Sequence, residues 1–91
     1  MTKASVVILN WNGKKLLEQF LPSVVAHTQS DEYRVVVADN GSTDDSVEFL
    51  KANYPDLSLI LLDKNYGFAD GYNKAIQQVD SEYVVLLNSD V

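Results

Sequence analysis

Four short apolar runs divide the chain, and each ends in an asparagine or an aspartate. Residues 5–9 lead to Asn10, 33–38 to Asp39, 57–62 to Asp63 and 83–87 to Asn88. Between them, apolar residues recur at helical spacing: Leu16, Leu17, Phe20, Leu21, Val24 and Val25, then Val47, Leu50 and Tyr54, then Ala69, Tyr72, Ile76 and Val79. The order is β-α-β-α-β-α-β with short connections, which implies a mostly parallel sheet with right-handed crossovers. The first run is β-branched and apolar on both faces, as a parallel strand covered by helices requires. The predicted fold is therefore a three-layer α/β, Rossmann-like half of a doubly wound sheet, in strand order 3-2-1-4. Pro22 predicts a kink or short break near Leu21, and residues 26–32 read as a polar connection. Pro55 stops a second helix over residues 46–54.

In that strand order the sheet reverses between its first and fourth strands, and open α/β sheets bind ligands outside the carboxyl ends at such a reversal. Asn10-Trp11-Asn12 and Asn88-Ser89-Asp90 then lie side by side, with Asp39 one strand over. A carboxylate such as Asp90 at this edge suits a hard divalent cation, which in turn can hold a diphosphate. Asp39 reads either as a ligand for ribose or base or as a turn residue before Asn40-Gly41. Trp11 reads as core or as a wall against a flat base or sugar face. Asn12 reads as a helix N-cap, and Ser42-x-x-Asp45, with Asp44, as a capping box opening the second helix. Gly67 and Gly71 frame the third helix, where glycine permits close backbone approach or simply serves a turn. Their spacing is not G-x-G-x-x-G, and there is no Walker A pattern.

Composition narrows the function classes. The 91 residues allow one small domain, and 46% hydrophobic content is that of a globular chain. The net charge is −6, and the seven basic residues form no cluster, which argues against nucleic acid. An acidic chain that binds an anion needs a cation, backbone amides or helix N-termini. With no cysteine, thiolate metal sites and disulfides are excluded. His27 has no evident partner for a nucleophilic triad. A cytoplasmic location is the expectation.

Four blocks carry a resemblance. Residues 6–13 (VVILNWNG), residues 37–46 (VADNGSTDDS), Asn65-Tyr66-Gly67-Phe68-Ala69-x-Gly71-x-Asn73 and residues 86–91 (LLNSDV) resemble the family 2 glycosyltransferases, rhamnosyltransferase-like members included. The likeness covers essentially the whole chain, in order. It implies a GT-A fold whose first half binds a nucleotide-sugar donor. By that resemblance Leu9, Asn10 and Trp11 line the base pocket, Asn12 belongs to the same nucleotide-sugar-binding site, and Asp39 accepts a hydrogen bond from uracil or thymine. Asn65, Gly67, Gly71 and Asn73 shape the pocket near ribose and diphosphate. Asn88-Ser89-Asp90 corresponds to the D-x-D motif, with Asp90 holding Mg²⁺ or Mn²⁺. Asn88 departs from the motif's first acid and is expected to hydrogen-bond the ribose instead.

The implied activity is metal-dependent, inverting transfer from a UDP- or dTDP-sugar to a glycan or lipid-linked acceptor, as in polysaccharide biosynthesis. The resemblance places the general base beyond Val91. It makes residues 1–91 a single N-terminal donor-binding part, truncated just after the D-x-D-like motif, that binds donor nucleotide with little or no turnover. It also implies a missing C-terminal half and a peripheral place at the inner face of the membrane for the full-length enzyme. The unpaired flank of the fourth strand invites partners, so homodimerisation through that edge is expected.

Three other readings compete. A non-catalytic nucleotide-binding or interaction module would keep the same fold. A receiver-like domain would want carboxylates after the first strand, where Asn10 and Asn12 stand. A nucleotidyltransferase would want a glycine-rich basic loop there, of which Gly13-Lys14-Lys15 is a poor version.

Overall fold

The computed structural model describes residues 2–28 and 32–88. Its elements are β1 (Thr2–Asn10), α1 (Lys14–Thr28), β2 (Tyr33–Asp39), α2 (Ser46–Asn53), β3 (Ser58–Leu61), α3 (Gly67–Ile76) and β4 (Ser81–Asn88). The four strands form one sheet in the order β3-β2-β1-β4, every pairing parallel. The predicted architecture and strand order are those observed.

Alternation along the strands sorts the core into two layers. Val7, Leu9, Val36 and Ala38 pack with Tyr72 and Ala75 of α3. Ile8, Val35 and Val37 face the other way, onto Leu17 and Leu21 of α1 and Leu50 of α2. Both faces of β1 and β2 are therefore covered, which is why residues 6–9 and 35–38 are continuously apolar instead of alternating. The first two crossovers step one way along the sheet and the third steps back across two strands. Crossovers of one hand must then put α3 on the face opposite α1 and α2.

Pro22 does not break α1, which runs unbroken to Thr28. The ring sits on the exposed side of the helix, and the Glu18 carbonyl it leaves without a donor belongs to an exposed residue. The apolar face at Leu17, Leu21 and Val24 stays in register with the sheet, and its burial outweighs one missing backbone bond. The expected polar connection therefore begins only after Thr28.

Parallel register delivers the strand ends together. Asn10 pairs with Asp39 across β1 and β2, and Leu9 pairs with Asn88 across β1 and β4. The β1 exit is thus flanked by the β2 exit on one side and the β4 exit on the other, at the reversal of the sheet. Among the described residues the outer edge of β4 has no partner strand, and Tyr83, Val85 and Leu86 stand exposed along it.

Candidate functional site

The carboxyl ends of β1 and β2 are joined by a buried polar network. Asp39 is 3% exposed and Asn10 fully buried. Asn10 Nδ2 donates to Asp39 Oδ1 at 3.0 Å. The Ser42 hydroxyl donates to the same oxygen at 2.6 Å, and the Ser42 backbone N–H donates to Asp39 Oδ2 at 2.9 Å. A carboxylate offers about four lone-pair positions. Three are taken, so one acceptor position remains, on Oδ2. Asn10 Oδ1 is a second open acceptor: it is buried and has no partner among the described residues.

The network extends through the two loops. Ser42 Oγ also accepts from Asn10 Nδ2 at 3.3 Å and from the Asn12 N–H at 2.9 Å. Asn12 adopts a left-handed backbone, φ 51°. Asparagine tolerates that region better than most residues because its side chain can bond locally. Asn12 does not cap α1. Its Oδ1 instead accepts the N–H groups of Thr43 (2.7 Å) and Asp44 (3.1 Å), tying the β1 exit to the loop before α2. Lys14 completes the tie with a 3.0 Å contact to Asp45, which holds the ammonium pKa above its usual range. An ammonium engaged in this way is poorly placed to serve a triphosphate, against the nucleotidyltransferase reading.

The expected Ser42-x-x-Asp45 capping box is absent. Ser42 is occupied by Asp39, and Asp45 makes no cap bond. Asp44 opens α2 instead, its Oδ1 accepting the Ser46 N–H at 3.0 Å and the Ser46 hydroxyl at 2.6 Å. Desolvation pushes the Asp44 pKa up, but the hydrogen bonds from Ser46 outweigh it and hold the carboxyl below its ordinary 3.8. A lowered carboxylate stabilises the fold above its unfolded value and loses that contribution as pH falls through the folded value. Ser46→Ala should therefore lower the melting temperature most near pH 7, with the gap to the native chain narrowing below about pH 3.8. Thermal melts from pH 7 to 2.5 check this, and a gap independent of pH would refute it.

On the other side, Asn40 is 2% exposed and reaches the start of α3. Its Nδ2 donates to Asn65 Oδ1 and to the Gly67 carbonyl, each at 3.0 Å, and its Oδ1 accepts the Tyr66 N–H at 3.0 Å. Asn65 Oδ1 also accepts the Gly67 N–H at 2.8 Å. Outside this loop the Tyr66 hydroxyl donates to Asp63, which holds the Asp63 carboxyl below its usual range, and the Lys74 ammonium lies 4.5 Å from the Tyr66 ring centre.

Of the residues singled out from the sequence, Leu9, Asn10, Asn12, Asp39, Asn65, Gly67 and Gly71 fall in this connected set. Gly71 packs so closely that a Cβ there would lie 2.9 Å from Asn40 Nδ2 and 3.2 Å from Leu9 Cδ2. Trp11 is half exposed at the β1 exit, which removes the core reading. Asn73 is exposed on α3, two residues past Gly71. The Asn88 backbone lies beside Leu9. Ser89 and Asp90 lie outside the described residues, and among those described no cluster of three acids or histidines could hold a metal. Sequence reasoning passed over Asn40 and Gly41 as turn residues and read Ser42 as part of a helix cap. Their signal was an Asn-Gly pair directly after a strand-ending acid, a place where glycine supplies a left-handed step.

Comparison with known proteins gives a consistent result. The family described as Glycosyl transferase family 2 matches residues 5–91. An uncharacterized glycosyltransferase of Bacillus subtilis (strain 168), YfnE, is 34% identical over 91 residues, which are 98% of this chain and 23% of that protein. Staphylococcus aureus TarS 1-349, solved in complex with UDP, superposes with a TM-score of 0.83 at 28% identity, over 98% of this chain and 28% of that one. The mannosyltransferase PcManGT of Pyrobaculum calidifontis, solved with GDP-Man and Mn²⁺, gives a TM-score of 0.78 at 29% identity, over 97% and 27% of the two chains. The chain spans only 23–30% of the length of the first curated relatives it matches.

Proposed function

The chain belongs to glycosyl transferase family 2, and from that premise we propose that it forms the donor-nucleotide site of an inverting, metal-dependent sugar transferase. The observation that carries this reading is the Asp39–Asn10–Ser42 network, buried at the reversal of the sheet with an acceptor left open on Asp39 Oδ2. A uracil or thymine base presents one ring N–H to such an acceptor. The Asn10 carboxamide lies against that carboxylate, with its Oδ1 unpartnered among the described residues. Half-exposed Trp11 offers a flat apolar face at the same exit. The UDP and GDP-Man complexes of the structural neighbours support a nucleoside diphosphate as the ligand class.

The donor set also bears on the metal. Asp39 is unsuited as a ligand, because three donors hold its oxygens and the one remaining position is assigned to the base N–H. β4 leads the chain to the same edge on the other side of β1, so Asp90 is the residue we assign to the cation, with Asn88 toward the ribose. When bound, Mg²⁺ or Mn²⁺ would act as a Lewis acid on the departing diphosphate. The chain's own residues orient the nucleotide: Asp39 and Asn10 hold the base, and the loop at Asn65 and Gly67 is assigned to ribose and phosphates, with Gly71 packed against Asn40 behind it. In transfer, the bond from the anomeric carbon to the diphosphate oxygen breaks and the acceptor oxygen takes its place with inversion. Asp39 is no candidate for the base that receives the acceptor's proton, for the same reason that it is no metal ligand.

Calorimetry with UDP, dTDP and GDP, with and without Mn²⁺, tests the reading. Binding of one nucleotide should strengthen with Mn²⁺, and Asp90→Ala should remove that gain, about 2 kcal/mol or more for a lost charge contact. Absence of binding by all three nucleotides would reject the donor-site reading and leave an interaction module of the same fold.

A further inference from the structure

We infer that Asn40 is a positioning residue that sets the ribose–diphosphate half of the site without touching the nucleotide. The inference rests on the donor-site reading above and deepens it. Asn40 is nearly fully buried, and its backbone N–H donates to the Asn10 carbonyl at 2.8 Å, which fixes it to the end of β1. Both side-chain N–H groups and the side-chain oxygen then cross to a single target, the three residues 65–67 that open α3. The amide is thereby held in one orientation, because each of its polar atoms has a partner. Gly71, one turn into α3, closes over the same amide with no room for a side chain. One residue therefore joins the β1 exit, the β2 exit and the start of α3. Asp39 next to it serves the base, while Asn40 sets how far from that base the α3 end lies.

This division makes a specific demand. Asn40→Asp keeps the shape but removes both donors, and sets a carboxylate against two acceptors, Asn65 Oδ1 and the Gly67 carbonyl. Residues 65–67 must then move away, while Asn10, Asp39 and Ser42 keep their own contacts. A nucleoside should notice little of this and a nucleoside diphosphate much.

The experiment compares UDP with uridine, and GDP with guanosine, on the native chain and on Asn40→Asp, by calorimetry for the diphosphates and NMR titration for the nucleosides. The diphosphate should bind about tenfold more weakly or worse, the loss expected for one displaced charged hydrogen bond, with the nucleoside changed less than about twofold. Gly71→Ala, which presses on the Asn40 amide without altering its chemistry, should show the same selective loss and serves if the aspartate variant does not fold. Equal weakening of diphosphate and nucleoside, or no weakening of either, overturns the positioning role while leaving the donor-site reading intact. A native chain that binds no nucleotide overturns both.

Discussion

Replacing Gly41 with alanine should lower the stability of the chain by about 3 kcal/mol, the largest loss expected from any single added methyl group here. Two costs combine. Gly41 has φ 75°, where an L side chain meets the following carbonyl at a cost of roughly 1–2 kcal/mol. The new Cβ would also lie 2.5 Å from the Lys64 carbonyl carbon and 2.7 Å from the Asn65 nitrogen. Those are backbone atoms of the loop before α3, so no rotamer change relieves the contact. The loop itself must retreat, and the Asn40 bonds to residues 65–67 go with it. Gly67 is the internal control. Its φ is 79°, but a Cβ there would meet nothing within 4 Å. Gly67→Ala should therefore cost only about 1 kcal/mol. At roughly 4–8 °C per kcal/mol for a domain of this size, the two melting points should differ by about 10 °C. Equal melting points for the two variants would mean that the close approach of Gly41 to Lys64 does not matter.

Asp39→Ala should abolish nucleotide binding, with affinity falling about a hundredfold or more, and destabilise the fold as well. The binding loss follows from removing the open Oδ2 acceptor together with the group that orients Asn10. An acceptor built to pair with a base N–H leaves that donor unmet when it is deleted, a penalty worth about 2–3 kcal/mol. The stability loss has a separate source. Fully buried Asn10 Nδ2 keeps only its longer contact to Ser42, and the N–H of partly buried Ser42 loses its acceptor. Each buried unpaired group costs about 1–3 kcal/mol. Asp39→Asn does not repair this. With its oxygen turned to Asn10 and the Ser42 hydroxyl, its amide nitrogen faces the Ser42 N–H, donor against donor. Both variants should melt well below the native chain, and neither should bind UDP or GDP. A folded Asp39→Asn variant with native affinity would show that Asp39 is a loop residue alone and that the base is held elsewhere.

These two positions also show what kind of information each level carried. Asp39 was legible as a candidate because a carboxylate directly follows a buried apolar run, and parallel β-α-β topology sends such residues to the ligand edge. The alternation of apolar runs with amphipathic stretches pointed to a parallel sheet covered on both faces, since residues 6–9 and 35–38 are continuously apolar, and the strand order followed from the doubly wound plan. Local signals were weaker. Pro22 read as a break, yet α1 continues because the Leu17–Leu21 face is buried against the sheet and the proline points outward. Ser42-x-x-Asp45 read as a capping box, yet the Ser42 hydroxyl is claimed by Asp39 and the helix is opened by Asp44.

Two things were therefore decided by sequence alone: the parallel three-layer sheet and the polar strand ends that meet at its reversal. Both depend on hydrophobic period and on residues adjacent along the chain. What only the tertiary structure decided is how those ends are wired. Asn40 meets residues 65–67 and Asn12 meets residues 43–44 across separations of 25 to 32 positions. No local pattern encodes those pairings. They arise because parallel strands set three loops at one edge, where each buried amide and carboxylate must find a partner or leave a polar group without one.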